Sequence, residues 1–327
     1  MQKRDISLVC GDYDRTRRIL DGTMQIDGYA LRTSSLPPEE MFKRAFGPAE
    51  FDVSELSACL FMQCLANGTC AYVGIPAFPS RSFRHAAIFV RSDSSIKSAA
   101  DLAGKTIGLR SFLNTAALVV RGLLKDEFQV DPCGIKWRLG DLDEPERRNI
   151  PVPGLAQPFD IQVLDYGTTL SQALLSGAID AIVHYDPPRA FFEKDPKVRR
   201  IFSDVGAAER AYFQKTGIFP IMHLVGIRRS LVEQDPTLPW KVYDAFARAK
   251  ARAISDLGVQ GAQTVSLPWL RDDVERTVAL AGTDFWPYGI DANKAALESL
   301  VRYAFEQGLT SQRLNVAALF DPTLSAT

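Results

Sequence analysis

Histidine is scarce in this chain: His85, His184 and His223 are the three among 327 residues. Acid–base or metal chemistry that needs imidazole therefore has few places to occur. No HxH or HExxH spacing links them, and Cys10, Cys59, Cys64, Cys70 and Cys133 form neither a CxxC pair nor a paired zinc-ligand spacing. A required metal is not expected, and the odd cysteine count suits reduced, mostly buried thiols better than a disulfide framework. No Walker loop, dinucleotide fingerprint or nucleophile elbow occurs, so no cofactor is expected. Lysine plus arginine number 38 against 39 for aspartate plus glutamate, which leaves no net field to draw the chain onto nucleic acid or a membrane surface. No stretch reaches the roughly 18 apolar residues of a membrane helix. The opening MQKRDISLVCGDYDRT lacks the apolar core of an export signal. A cytoplasmic location is expected, with an exported protein whose leader was removed as the alternative.

What is present is the balance of a globular chain, 46% hydrophobic and 24% charged residues, at a length that suits two α/β lobes. The run from Ile6 to Cys10, closed by Gly11 and Asp12 and followed by Tyr13 to Leu20, reads as strand, turn and helix. Pro37 and Pro38 lead into an amphipathic helix ending near Ala45, and Asp52 to Ser54 leads toward a further helix through Glu55 to Cys64. A second cycle starts near Ala86 with a buried strand. Ser98 then caps a short helix over Ala99 to Leu102, Gly104 ends it, and Thr106 to Leu109 forms the next strand. Ser111 to Ala116 opens a helix to about Glu127, and a strand feeding a helix start leaves backbone N–H groups for a carboxylate. Pro145, Pro151, Pro153 and Pro158 forbid regular helix between Asp141 and Phe159. Strands follow at Ile161 to Leu164, Ala181 to Val183 and Pro220 to Arg228, with a helix at Thr168 to Ser176 closed by Gly177. The remainder is helical, clearest over Trp240 to Leu257, Leu270 to Leu280 and Asn293 to Gln307. The expected division is residues 1–90 with 221–327 in lobe one and 91–220 in lobe two.

Six strings carry a family likeness: GDYDRTRRILDG (11–22), EFDVSELS (50–57), FPSRSFRH (78–85), DLAGKTIGL (101–109), IFPIMHLVGIRRSL (218–231) and DFWPYGI (284–290). In that order they resemble the 4,5-dihydroxyphthalate decarboxylase family over nearly the whole chain. DLAGKTIG is shared with many solute-binding proteins, whereas FPSRSFRH with IFPIMH is much more specific. The resemblance implies a two-lobed α/β periplasmic-binding-protein-like type II fold with two hinge crossings, near Phe83 to Val90 and Pro220 to Arg228, and a ligand held between the lobes. It also implies a cofactor-independent carboxy-lyase of aromatic-compound degradation, with Arg81, Arg84, His85 and His223 brought toward the cleft floor. The chain departs from the group's usual pattern at His184, Tyr185 and Asp186 and at SFLNTAAL.

Loss of carbon dioxide from a hydroxylated aromatic acid needs no organic electron sink when an ortho or para phenol pushes electrons into the ring. The protein must protonate the ipso carbon and orient the carboxylates in a dry site. His85 and His223 are the candidate proton donors, with hydrogen-bonded hinge roles as the alternative for each. Arg81 and Arg84 are candidate carboxylate forks, although three residues apart in an extended stretch they face opposite ways, which leaves one for structure. Glu55 is the acidic candidate for the cleft, or else a charge at a helix start. Ser111, Asn114 and Thr115 suit an anion seat or a cap, His184 a ligand contact or a surface turn, and Asp14 and Arg15 a ligand contact or a cap. Phe285, Trp286, Pro287 and Tyr288 either lock the C-terminal segment onto lobe one or stack on substrate. The expected partner is a small aromatic carboxylate, 4,5-dihydroxyphthalate or a related hydroxybenzoate, and a homo-oligomer stays open. Two other readings stand beside this one: a solute-binding protein that delivers an aromatic carboxylate to a transporter without chemistry, and another lyase on the same fold.

Overall fold

The first strand, β1 (Arg4–Val9), starts exposed and then buries Ile6, Leu8 and Val9, as a strand entering a core should. After it come α1 (Asp14–Leu20), β2 (Tyr29–Ser34), α2 (Pro38–Phe46), β3 (Val53–Ser57), α3 (Ala58–Ala66) and β4 (Tyr72–Arg81). A second series follows: β5 (Ile88–Arg91), β6 (Thr106–Leu109), α4 (Thr115–Phe128), β7 (Lys136–Leu139), β8 (Asp160–Val163), α5 (Leu170–Ser176), β9 (Ala181–Val183), α6 (Arg189–Phe192), β10 (Val198–Arg200) and α7 (Val205–Thr216). The chain closes with β11 (Ile221–Arg228), α8 (Arg229–Gln234), α9 (Leu238–Leu257), α10 (Leu270–Ala281) and α11 (Lys294–Glu306). The structure, a computed structural model, describes residues 3–146, 150, 154–155, 157–259, 261 and 263–327. Met1, Gln2, Pro151 and Pro153 lie outside the described residues.

Two compact units result. Unit one takes Met1–Arg81, Ile221–Leu297 and Asn315–Thr327, and unit two takes Ser82–Pro220 and Glu298–Leu314. Beside the expected division, residues 82–90 and 298–314 group with the second unit. In unit one the strand order is β2-β1-β3-β11-β4, with β1 parallel to β2 and β3, and β11 antiparallel to β3 and β4. Helix α9 packs on β4 and α1 with Val242, Ala245, Phe246, Ala249 and Ala253, a one-sided stripe at helical spacing. In unit two the order is β10-β5-β9-β6-β7-β8, parallel from β9 to β8 and antiparallel where β5 meets its neighbours. Its core includes Phe89, Leu170, Ala173, Leu174, Ile179, Ile182 and Val198. Gly177 closes α5 at φ +83°, a conformation that costs a residue with a Cβ about 1 kcal/mol or more.

Two departures from the sequence expectation bear on function. Glu55 does not open a helix; it lies inside β3, and the following helix starts at Ala58. That stretch pairs with β1 on one side and β11 on the other and is buried at every position, so pairing on both edges overrides the helical leaning of its Glu and Leu. The second is β4, a stretch to which sequence reading assigns no element and which Pro76 and Pro79 interrupt. Proline is tolerated there because β4 is an edge strand, and its pairing with β11 shifts register between Val225 opposite Ile75 and His223 opposite Ser80. Arg81 ends this strand while Arg84 precedes a 3-10 turn over His85–Ala87, so the two arginines share no extended stretch. Between Asp141 and Phe159 the described residues carry neither helix nor strand.

Candidate functional site

Sheet register brings Glu55 and His223 together. Val225 lies opposite Glu55 and His223 opposite Ser57, so His223, two residues from Val225, is the diagonal neighbour of Glu55 on the same face. Its Nδ1 lies 2.6 Å from Glu55 Oε1. The carboxylate is fully buried, a setting that costs several kcal/mol per ion unless donors replace water. Three donors do so. Beside His223, the backbone N–H of Gly11 donates to Oε2 at 2.7 Å and the Tyr13 hydroxyl donates to Oε1 at 3.1 Å. Burial pushes the Glu55 pKa up, but the bonds from His223, Gly11 and Tyr13 outweigh it and hold the group below the usual carboxylate range. An ionised carboxylate can only accept, so Nδ1 carries a proton and Nε2 is the ring nitrogen that Glu55 does not engage.

The turn after β1 supplies the other half of the site. Thr16 Oγ1 donates to the Gly11 carbonyl at 2.6 Å and accepts the Tyr13 N–H at 3.0 Å, which pins the loop. Gly11 has a steric reason as well: a Cβ there would sit 2.3 Å from the Tyr13 ring. Burial, and then the Glu55 charge, push the Tyr13 hydroxyl and the Cys10 thiol upward, so both keep their protons. Phe42 of α2 meets the His223 ring edge-on at 4.9 Å.

Arg15 and Arg81 belong to the same unit. The Arg15 guanidinium lies over the Tyr13 ring at 4.4 Å and the Trp286 ring at 4.1 Å. Its Nε donates to the Pro79 carbonyl at 2.6 Å and its Nη1 to Asp14 at 3.0 Å. Asp14 itself is half exposed and also accepts the Arg15 N–H. Arg81 is buried and donates from Nη1 to the Pro287 carbonyl at 2.9 Å. Burial lowers its pKa to about 9, still ionised at neutrality. Trp286 Nε1 donates to the Phe78 carbonyl and Gly289 N to the Pro76 carbonyl, so the segment 284–290 is bound to β4.

The remaining expected residues lie in unit two. His85 is buried among aromatic rings, 5.2 Å from Phe202 and 5.3 Å from Tyr212, and its Nδ1 has no hydrogen-bond partner among the described residues. Burial lowers its pKa to about 4, against about 6.5 in an unfolded chain. The unfolded state thus binds the proton first, and stability falls as pH drops from about 6.5 to about 4. His85→Leu should flatten that part of the profile, read by urea unfolding at pH 7 and pH 4.5; an unchanged slope would show that this ring does not carry it. Burial lowers Arg84 to about 10, against the pull of Tyr185, Asp186 and Glu209. His184 Nδ1 accepts the Asp186 N–H at 3.0 Å, its ring stacks on Tyr185, and burial lowers its pKa. Asn114 accepts the Ala117 N–H at 2.6 Å as the cap of α4, Ser111 accepts the Leu113 N–H at 3.3 Å, and Thr115 is buried as the first residue of that helix.

Sequence reading placed Glu55 and His223 among the candidates but did not join them, and it did not single out Tyr13. The signal was only positional, a tyrosine in the turn that follows the first strand. All five cysteines are unpaired; Cys10 and Cys59 are buried, and the other three are half-buried. Among the described residues no cluster of three His, Cys, Asp or Glu side chains could hold a metal ion, and no helix is long and apolar enough to cross a membrane.

Comparisons with known proteins bear on this geometry. No protein-family model matches the chain. Among solved structures it is similar to the periplasmic aliphatic sulphonate binding protein of Escherichia coli, at TM-score 0.54 and 14% identity over 98% of this chain and 92% of that one. It is likewise similar to the periplasmic sulfonate-binding protein of Methylobacillus flagellatus, at TM-score 0.56 and 15% identity over 99% and 93%. At such identity these establish a periplasmic-binding-protein-like α/β fold and nothing of ligand. Sequence relatives are much nearer. A 4,5-dihydroxyphthalate decarboxylase of Comamonas testosteroni is 37% identical over 324 residues, 98% of either chain. A second, from Pseudomonas putida, is 37% identical over 213 residues, 65% of this chain and 83% of that one. With that identity running end to end, the chain belongs to the 4,5-dihydroxyphthalate decarboxylase family, whose named members are carboxy-lyases.

Proposed function

We propose that this protein decarboxylates 4,5-dihydroxyphthalate to 3,4-dihydroxybenzoate, with His223 delivering the proton. The observation that carries the reading is the pairing of buried Glu55 with half-buried His223 in a chain so similar to a decarboxylase of that name. In this substrate each carboxylate is para to a hydroxyl, which can push electron density to the carbon that bears the leaving group. His223 Nε2–H adds its proton to that carbon, the C–CO₂ bond breaks, its electron pair restores the aromatic ring, and the imidazole regains a proton from solvent. Glu55 fixes the Nδ1–H tautomer and offsets the imidazolium charge, while Tyr13 and Gly11 hold the carboxylate in place. His85, in its aromatic surroundings, serves packing in this reading. Five unpaired cysteines fit a reducing compartment and so a cytoplasmic enzyme. The solute-binding alternative has behind it only fold likeness at 14–15% identity.

The test is carbon dioxide release, with the ring spectrum followed, from a panel of hydroxyphthalates and hydroxybenzoates. Turnover should be confined to phthalates with a hydroxyl para to a carboxylate. Turnover of phthalate itself, which has no hydroxyl to push electrons into the ring, would refute the electron-push assignment.

A further inference from the structure

We propose that Arg15 is the anchor for the carboxylate that the reaction leaves in place, and so the residue that selects a 1,2-dicarboxylate over a monocarboxylate. The inference rests on the decarboxylase reading and deepens it. A guanidinium held against aromatic rings keeps its edge, in its own plane, for a ligand, which is the direction a carboxylate uses. Arg15 has this form, with the Tyr13 and Trp286 rings at 4.4 and 4.1 Å.

Each part of the clamp is itself held. Register shifts in the pairing of β4 with β11 release the carbonyls of Pro76, Phe78 and Pro79 from the ladder. Proline brings no N–H that would then need a partner. Those carbonyls accept from Gly289 N, Trp286 Nε1 and Arg15 Nε. The Tyr13 hydroxyl is tied to Glu55 Oε1, the oxygen that also receives His223. One tyrosine therefore joins the cationic clamp to the proton-delivering pair. Nε and Nη1 are engaged, Nη2 has no hydrogen-bond partner among the described residues, and the side chain keeps 17% exposure. The ion pair with half-exposed Asp14 is of a kind that contributes little and leaves the guanidinium edge open to a stronger partner. The buried Tyr288 hydroxyl also lacks a partner among the described residues, and Arg15, Glu55, Cys10 and Arg81 are among the charged or titratable groups acting on it. A polar ligand atom in this neighbourhood would satisfy it.

The chemistry decides which carboxylate Arg15 takes. A cation on the leaving carboxylate would stabilise the charge that decarboxylation must dissipate, favouring the ground state over the transition state. On the retained carboxylate it orients the ring and costs nothing as the reaction proceeds.

Phthalate and benzoate, which carry no hydroxyl and cannot react, separate binding from turnover. Calorimetric titration of the whole protein should show phthalate bound more tightly than benzoate by about 10- to 100-fold, the range of a charge-assisted carboxylate contact. In Arg15→Met the phthalate affinity should fall to that of benzoate, with benzoate changed less than about threefold. Arg15→Lys, which keeps the charge but not the fork, should recover part of the preference and guards against a misfolded Met variant. Equal weakening of both ligands, an undiminished preference in Arg15→Met, or no preference in the wild type would overturn the assignment. Wild-type turnover of 4,5-dihydroxyphthalate in the same preparation keeps the two claims apart. Turnover with the preference intact in Arg15→Met overturns the anchor alone. No turnover, with the preference lost in Arg15→Met, overturns the decarboxylase reading while the anchor stands.

Discussion

With His223 replaced by glutamine, kcat for 4,5-dihydroxyphthalate should fall by about 10²- to 10⁴-fold, the usual contribution of a positioned general acid. Affinity for phthalate should change little, because the ring nitrogen acts on the ipso carbon and not on the carboxylates. Glutamine keeps a polar group beside Glu55 at Oε1, so the buried carboxylate keeps a third donor beside Gly11 and Tyr13 and the loss can be read as chemistry. Calorimetry for binding and single-turnover product formation for chemistry divide the effect. A loss of affinity with kcat retained would place His223 in substrate binding.

Glu55→Gln should have the second largest effect, about 10- to 100-fold in kcat, the worth of a charge-assisted hydrogen bond. The amide fills the same volume but neither offsets an imidazolium nor requires a proton on Nδ1. The pH dependence carries a second signature. Because Glu55 is held below the ordinary carboxylate range, it remains ionised when an unfolded glutamate, at about 4.3, has taken up its proton. The unfolded state then binds more protons, so this group contributes stability above the unfolded pKa, and the contribution is lost as pH falls through the lowered folded value. Glu55→Gln should remove that part of the acid dependence while leaving the part due to His85. Urea unfolding of the single variants and the double variant at pH 7 and pH 3.5 measures both, and a Glu55→Gln profile parallel to the wild type would mean that the carboxylate is not held ionised.

Much of the fold was legible because its elements announce themselves locally. Thr106–Leu109 and Ala181–Val183 are short apolar strands with clear stops, and Gly177 closes a helix where only a left-handed residue fits. The site was less legible because its chemistry depends on register. Glu55 and His223 are 168 positions apart, and nothing in VSELS or IFPIMH reports that one strand pairs diagonally with the other. Glu55 was further hidden by its own helical leaning, which two-sided pairing overrides. β4 goes unassigned in the sequence; it contains Pro76 and Pro79, which signal a break in isolation, yet in the sheet the carbonyls of Pro79 and Phe78 hold Arg15 and Trp286. The Arg15 clamp required three segments, around residues 13–15, 78–79 and 286, to be known as neighbours.

The most direct test is incubation of the wild-type protein with 4,5-dihydroxyphthalate in D₂O, with carbon dioxide quantified and the product examined by NMR. The expected result is one carbon dioxide per substrate and 3,4-dihydroxybenzoate carrying a single deuterium at the vacated carbon, with His223→Gln forming it far more slowly. Tight binding of unchanged substrate, with no carbon dioxide and no deuterium in the ring, would contradict a decarboxylase and leave a protein that only binds its ligand.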